Sequence, residues 1–191
     1  CISHNHDQSF YSIEEWRKRG RWFLEFANHV IAPSMDTKER IKKYHLREYN
    51  FRAHDSNYLL KNKPKIKNTN CDEGVFKILF IGEMSLHKGQ SLLFKLCNLL
   101  NLLDKNIRIH LIGKVIGNQE LLSCSNFTQT LEYNNNEIDM LIIKHNPNLI
   151  MFTTACCETY SFSLSEAIRS GFPILAPNLG SFKERLEKYS D

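Results

Sequence analysis

The chain has 191 residues, 42% of them hydrophobic, which suits one or two domains with a buried core. That composition excludes a disordered polypeptide, and no apolar run is long enough to span a bilayer or to serve as a secretory signal. The net charge of +4 is uneven: the first 74 residues carry 14 Lys and Arg against 10 Asp and Glu, whereas the rest balance at 11 against 11.

Residues 1–60 read mainly as helix and turn. Ser12-Ile-Glu-Glu15 has the pattern of a capping box and predicts a basic helix through Trp16 and Trp22 to Asn28. His29-Val-Ile-Ala32 is a short strand-like run closed by Pro33-Ser34, and Asp36 begins a second charged helix through Tyr44. Residues 61–74 have linker composition, with Pro64, Asn68, Thr69 and Asn70. The basic run Lys61-Asn-Lys-Pro-Lys-Ile-Lys67 holds much of the excess charge; it reads first as a solvated linker, with peripheral contact to an anionic membrane surface as the second reading. It has no interleaved aromatic residues, so nucleic acid is not an expected partner.

From Val75 the texture changes to apolar strands alternating with amphipathic helices. Strands are predicted at Lys77–Ile81, Arg108–Ile112, Phe127–Tyr133, Leu149–Thr154 and Pro173–Ala176. A helix over Ser91–Leu103 places Leu92, Leu96, Leu99 and Leu103 on one face, and another runs from Glu137 to His145. Ser181-Phe-Lys-Glu184 is a capping-box pattern that opens a last helix. This rhythm predicts an α/β fold with a Rossmann-like, doubly wound parallel sheet.

Six cysteines (Cys1, Cys71, Cys97, Cys124, Cys156 and Cys157) show neither C-x-x-C pairing nor the His spacing of a zinc site. Cys97 falls on an apolar helical face, and the adjacent Cys156-Cys157 does not suit a disulfide framework. A reducing, cytosolic environment is the economical expectation.

Two carboxylates, Glu158 and Glu166, with seven residues between them, lie between the strand at Leu149 and the stop signal Gly171-Phe-Pro173. That context predicts one acid in a strand-to-helix loop and the other in the first helical turn, at the carboxyl end of a parallel sheet where ligands bind. Acids there can hold the hydroxyls of a polyol, and the N–H groups of a helix start attract phosphate. Each has an ordinary reading as well. Ser163-Leu-Ser-Glu166 is itself a capping-box pattern, and Glu158 can be a plain loop acid. In Phe80-Ile-Gly82-Glu-Met-Ser-Leu-His-Lys88-Gly89, Gly82 allows close backbone approach and Lys88 can face phosphate oxygens; the alternative is a surface lysine.

Gly82 with Lys88-Gly89, Glu158, Glu166-Ala167, Gly171-Phe-Pro173 and Gly180-x-x-x-Glu184-Arg185 together resemble the donor domain of retaining glycosyltransferases of family 4, which have the two-domain GT-B fold. Glu158-Thr-Tyr-Ser-Phe-Ser-Leu-Ser-Glu-Ala167 is similar to members acting on bacterial surface polysaccharides, including lipopolysaccharide. The resemblance covers residues 77–188, with weaker matches at His6-Asp7 and Val30-Ile-Ala-Pro-Ser34. It implies that residues 1–60 end the acceptor-side domain, that 61–74 link, and that 75–191 are a donor-binding domain shortened at its C-terminus. Opening on Cys1 and stopping at Asp191, the chain is expected to lack portions at both ends.

The resemblance also implies roles. Glu158 meets the transferred sugar, Glu166 the ribose hydroxyls, Lys88 and the backbone N–H groups of Ser161, Phe162 and Ser163 the diphosphate, and His6 reaches the sugar from the other domain. A lone histidine such as His6 is more often structural than functional. The implied reaction moves a hexosyl unit from a nucleotide-diphosphate sugar to a glycan or lipid-linked acceptor, with retention, at the cytosolic face of a membrane. No cofactor or metal is expected, and the sequence has no Asp-x-Asp motif. The alternative is a catalytically inactive nucleotide-sugar-binding or regulatory module of the same fold. One departure stands out: Glu83 occupies a position where many family members carry Arg.

Overall fold

The computed structural model describes residues 12–44, 51–53, 74–103 and 105–187. His6, Cys1, Cys71 and the basic run 61–67 lie outside the described residues. Helix α1 spans Ile13–Phe26 and opens with the expected capping box, Ser12 accepting from Glu15 N–H and Glu15 accepting from Ser12 N–H. Strand β1 (Val30–Ala32) pairs in parallel with β2 (Phe51–Ala53), which is too short to stand out in the sequence. Helix α2 (Met35–Lys42) lies between them, with Ser34 Oγ accepting from Thr37 N–H at its start. α2 docks on the C-terminal half of the chain: Glu184 accepts from Asp36 N–H at 3.1 Å, and Thr37 Oγ1 donates to Thr159 O at 3.4 Å.

The larger sheet contains β3 (Phe76–Ile81), β4 (Ile107–Ile112), β5 (Phe127–Thr130), β6 (Leu149–Met151) and β7 (Ile174–Leu175), all parallel, in the order β5-β4-β3-β6-β7. Alternation along β3 sorts its side chains between two layers. Ile78 and Phe80 pack with Leu93, Cys97 and Leu100 of α3 (Gln90–Leu102), whereas Leu79 and Ile81 pack with Ile138 and Ile142 of α4 (Ile138–His145) and Ala167 of α5 (Phe162–Ser170). Helix α6 (Gly180–Leu186) adds Phe182, which is fully buried against Leu164 and Ile168 and lies 5.0 Å from the Phe152 ring.

Several sequence expectations are corrected. Both leucine ladders of α3 have helical spacing, and tertiary packing selects the other one: Leu93, Cys97 and Leu100 are buried, while Leu92, Leu99 and Leu103 are exposed. The predicted capping box at Ser181 does not form. The helix is capped at Leu179, two residues earlier, which buries Ser181 Oγ without a hydrogen-bond partner among the described residues and leaves Glu184 to bind α2. The strands predicted to run to Tyr133 and Thr154 stop at Thr130 and Met151, because the following residues turn away from the sheet ladder. Among the described residues Cys97, Cys124 and Cys157 are free thiols, the first two of them buried.

Replacing Phe182 by Ala is expected to lower unfolding free energy by about 3–5 kcal/mol. Urea denaturation checks this, with a smaller loss showing that α6 is not anchored through this ring.

Candidate functional site

The chain leaves β3 over one face of the sheet through α3 and leaves β6 over the other through α5. β3 and β6 are neighbours, so the two connections diverge at their shared carboxyl ends, the topological switch point of an open parallel sheet. A cleft opens there, lined by Glu83, Met84, Lys88, Thr153, Thr154, Glu158, Ser161 and Ser163 over a floor that includes Phe80 and Phe152. It is shallow, with about 20 Å³ of solvent space, room for roughly one water molecule. A larger ligand would have to lie along this wall rather than inside it. Two roomier clefts lie away from the switch point, one of about 390 Å³ at the amino ends of β4 and β5 and one of about 320 Å³ beside β3, β4 and the end of α4.

Each wall is held by identifiable contacts. After β3, Gly82 has φ +100, and a Cβ there would stand 3.0 Å from Ser163 Oγ. The glycine thus lets the start of α5 close on the strand end. The segment Leu86–Lys88 forms a single helical turn, and its carbonyls are bolted to the loop after β6. His87 O accepts from Thr154 Oγ1 at 3.2 Å and from Ala155 N–H at 3.3 Å, and Lys88 O accepts from Thr153 Oγ1 at 3.0 Å. A Cβ on Gly89 would lie 2.1 Å from Thr153 O, so the two loops touch at that point.

Lys88 and Glu158 are brought together across the cleft, Nζ to Oε1 at 4.0 Å. At that separation, with both side chains partly solvated, the pair contributes at most about 1 kcal/mol to stability, so its main effect is to aim the lysine. Glu83 also lines the cleft, but its carboxylate lies 3.6 Å from Lys114 Nζ and is partly offset there.

Helix α5 does not begin as expected. Ser161 is its N-cap with φ 64 and ψ 94, and no side chain caps the first turn. Ser163 is the second residue and Glu166 the fifth, so the Ser163–Glu166 capping box is not formed and Glu166 lies one turn further along. The first-turn N–H groups have no acceptor among the described residues. Glu166 is half-buried, and burial raises its carboxyl above the ordinary range, with Arg169 opposing and Asp139 reinforcing the shift. Lys88, Glu158, Ser161 and Ser163 thus meet at the cleft, Gly82 touches Ser163, and Phe162 points outward, exposed.

The sequence reading missed Thr153 and Thr154 as the bolts of this site, since two threonines after a strand carry no distinguishing pattern. It noted Arg185 only within a motif. That residue is 7% exposed and reaches back to the loop before α5. Among the described residues no group of three or more His, Cys, Asp or Glu is placed to hold a metal, and no helix is long and apolar enough to cross a membrane.

No family model matches the chain, and no curated protein matches it by sequence. Solved structures do match. HepE of Anabaena, crystallised with UDP and glucose, superposes with a TM-score of 0.66 at 18% identity over 92% of this chain and 51% of that one. TarM of S. aureus, in a complex containing UDP, superposes at 0.63 with 17% identity over 95% and 36%. Sucrose-phosphate synthase of Thermosynechococcus elongatus superposes at 0.66 with 13% identity over 95% and 48%. The chain spans about half the length of HepE. These are GT-B glycosyltransferases, and the fold of this chain is the Rossmann-like α/β fold of that group.

The raised Glu166 carboxyl gives a pH prediction with a definite sign. Its folded state holds the proton more tightly than the unfolded chain does, so stability falls as pH rises from the ordinary carboxylate range through the raised value. Glu166→Gln should therefore raise the melting temperature at pH 7, and the gain should vanish below the ordinary carboxylate range. Melting curves across pH check this; a pH-independent difference would rule out the burial penalty.

Proposed function

We propose that this chain forms the donor-binding wall of a glycosyltransferase that takes its sugar from a nucleotide-diphosphate sugar. The observation that carries this reading is the convergence, at one switch point, of Lys88, Glu158 and the uncapped start of α5. A cation and free amides suit the diphosphate, and a carboxylate suits sugar hydroxyls. The UDP and glucose held by HepE, of similar fold, support it.

The roles divide along the donor. Lys88 and the N–H groups of Ser161, Phe162 and Ser163 would meet the diphosphate as its charge develops, where electrostatic stabilisation accelerates transfer most. Glu158 would meet the sugar at the reacting end. Glu166, outside the cleft and one helical turn on, would accept from the ribose hydroxyls; this use would explain a half-buried carboxylate with no hydrogen bond among the described residues. Residues 1–60 would belong to the acceptor-side domain, 61–74 to the linker and 75–191 to the donor domain, and His6 would approach the sugar from the acceptor side. We further propose retention of configuration, a hexosyl donor, no metal requirement, and a glycan or lipid-linked acceptor of surface polysaccharide or lipopolysaccharide synthesis. Those finer assignments rest on the resemblance of the Glu158–Ala167 segment to family 4 enzymes. Action at the cytosolic face of a membrane follows from such an acceptor.

Glu83 favours a second reading. A carboxylate lining the cleft opposes a diphosphate, as it would in a module that binds nucleotide sugars without turning them over. Incubating the full-length protein with donor and candidate acceptors separates the two: donor hydrolysis or transfer supports the enzyme, and tight binding with neither supports the module.

Calorimetry with common nucleotide sugars tests the donor site. One charge-assisted contact is worth about 1.5–3 kcal/mol, so Lys88→Ala and Glu166→Ala should each weaken the best donor roughly 10- to 150-fold. Equal affinity of wild type and Glu166→Ala for every donor would remove the ribose assignment. Glu83→Gln should tighten nucleoside diphosphate binding, and unchanged affinity would mean that Lys114 already neutralises Glu83.

A further inference from the structure

Arg185 holds the segment that opens α5 from both sides of its N-cap, at Tyr160 and Ser161 and again at Ser165. Its Nη1 donates to Tyr160 O and to Ser161 O, both at 2.8 Å, and its Nη2 donates to Ser165 Oγ at 2.7 Å. The guanidinium also stacks over the Tyr160 ring, 4.0 Å from its centroid. A planar fork with fixed donor directions can hold two carbonyls and a hydroxyl at once, which a lysine cannot.

The backbone it holds is unusual. Ser12 and Ser34, which also precede helices, have extended backbones and cap with their side chains. Ser161 does neither: it has positive φ, and its hydroxyl leaves the first turn uncapped. Among the described residues the other non-glycine with positive φ is Asn146, a residue type that tolerates this conformation at a helix end. A serine at φ 64 persists only where its surroundings enforce it.

In a trans peptide the C=O and N–H point to opposite sides. Gripping the carbonyls of Tyr160 and Ser161 from behind therefore turns the N–H groups of Ser161 and Phe162 away from the guanidinium. Ser161 and Ser163 line the cleft, so the opposite side is the ligand side. We propose that Arg185 is a positioning residue: from behind α5 it sets the backbone amides that receive the donor diphosphate. This rests on the donor-site reading above and adds to it a residue that does not line the cleft. Phe182 seats the same helix in the core, so α6 serves as the backing plate of the anion site.

The test uses the full chain as wild type, Arg185→Met, Arg185→Lys and Ser165→Ala. Each is titrated with UDP, GDP and ADP and with the matching nucleosides, by calorimetry or ligand-observed NMR. Arg185→Met should weaken the best-bound diphosphate about tenfold or more, while nucleoside affinity moves by less than about twofold. Arg185→Lys keeps the charge but not the fork, and should resemble the Met variant. Ser165→Ala loosens the fork with the charge intact, should cost about two- to fivefold for the diphosphate alone, and carries the test should Arg185→Met fail to fold. Equal losses for diphosphate and nucleoside, or a wild-type Arg185→Lys, would overturn the positioning role while the donor site stands. Wild-type protein that binds none of the three diphosphates would overturn the donor site itself, and this role with it.

Discussion

Two neighbouring parallel strands whose connections depart over opposite faces of the sheet leave their shared carboxyl end uncovered, and that gap organises the functional half of this molecule. β3 and β6 meet this condition. The polar residues that line the cleft follow one of the two chains out of the gap: Glu83 and Lys88 after β3, and Thr153, Thr154, Glu158, Ser161 and Ser163 after β6. Divergence alone would leave two loose loops. Here the threonine hydroxyls of one loop bond the carbonyls of the other, so a single rigid rim carries both Lys88 and Glu158.

The electrostatics of that rim are mixed. A lysine and a set of uncapped helix amides favour an anion, whereas Glu158 and Glu83 favour hydroxyls or cations. A uniformly anionic ligand would meet two repulsive groups. A donor with a diphosphate at one end of its linkage and a polyol at the other fits the alternation, provided Glu83 stays with Lys114. Glu166 lies outside this rim, half-buried on α5, which costs stability as long as it is ionised. Retaining a destabilised carboxylate beside a binding site is the pattern expected where function and stability compete.

The wall described here encloses about 20 Å³, room for roughly one water molecule. Helix α2 and the Thr37 contact to Thr159 show one way the N-terminal residues reach this region.

The alternation of apolar strands and amphipathic helices after Val75 was sufficient for a parallel α/β sheet, because period-two and period-3.6 patterns are local properties of a chain. Glu158, Lys88 and Gly82 were legible for a similar reason: strand ends, glycine turns and helix starts are marked in one dimension. The sequence did not say which leucine ladder of α3 faces inward, since both have the same spacing and only the sheet beneath chooses. Nor could it tell a capping glutamate from an uncapped helix start. Ser163–Glu166 satisfied the pattern, but Arg185, about twenty residues away and held by α6, pulls the preceding carbonyls aside. By itself the sequence determined the order of strands and helices and the chemical types that follow the strands, while two of the strands end earlier than their apolar runs. Only the tertiary structure decided that Lys88 and Glu158 face each other and that the first-turn amides of α5 have no side-chain cap among the described residues, because those facts depend on contacts between segments distant in the chain.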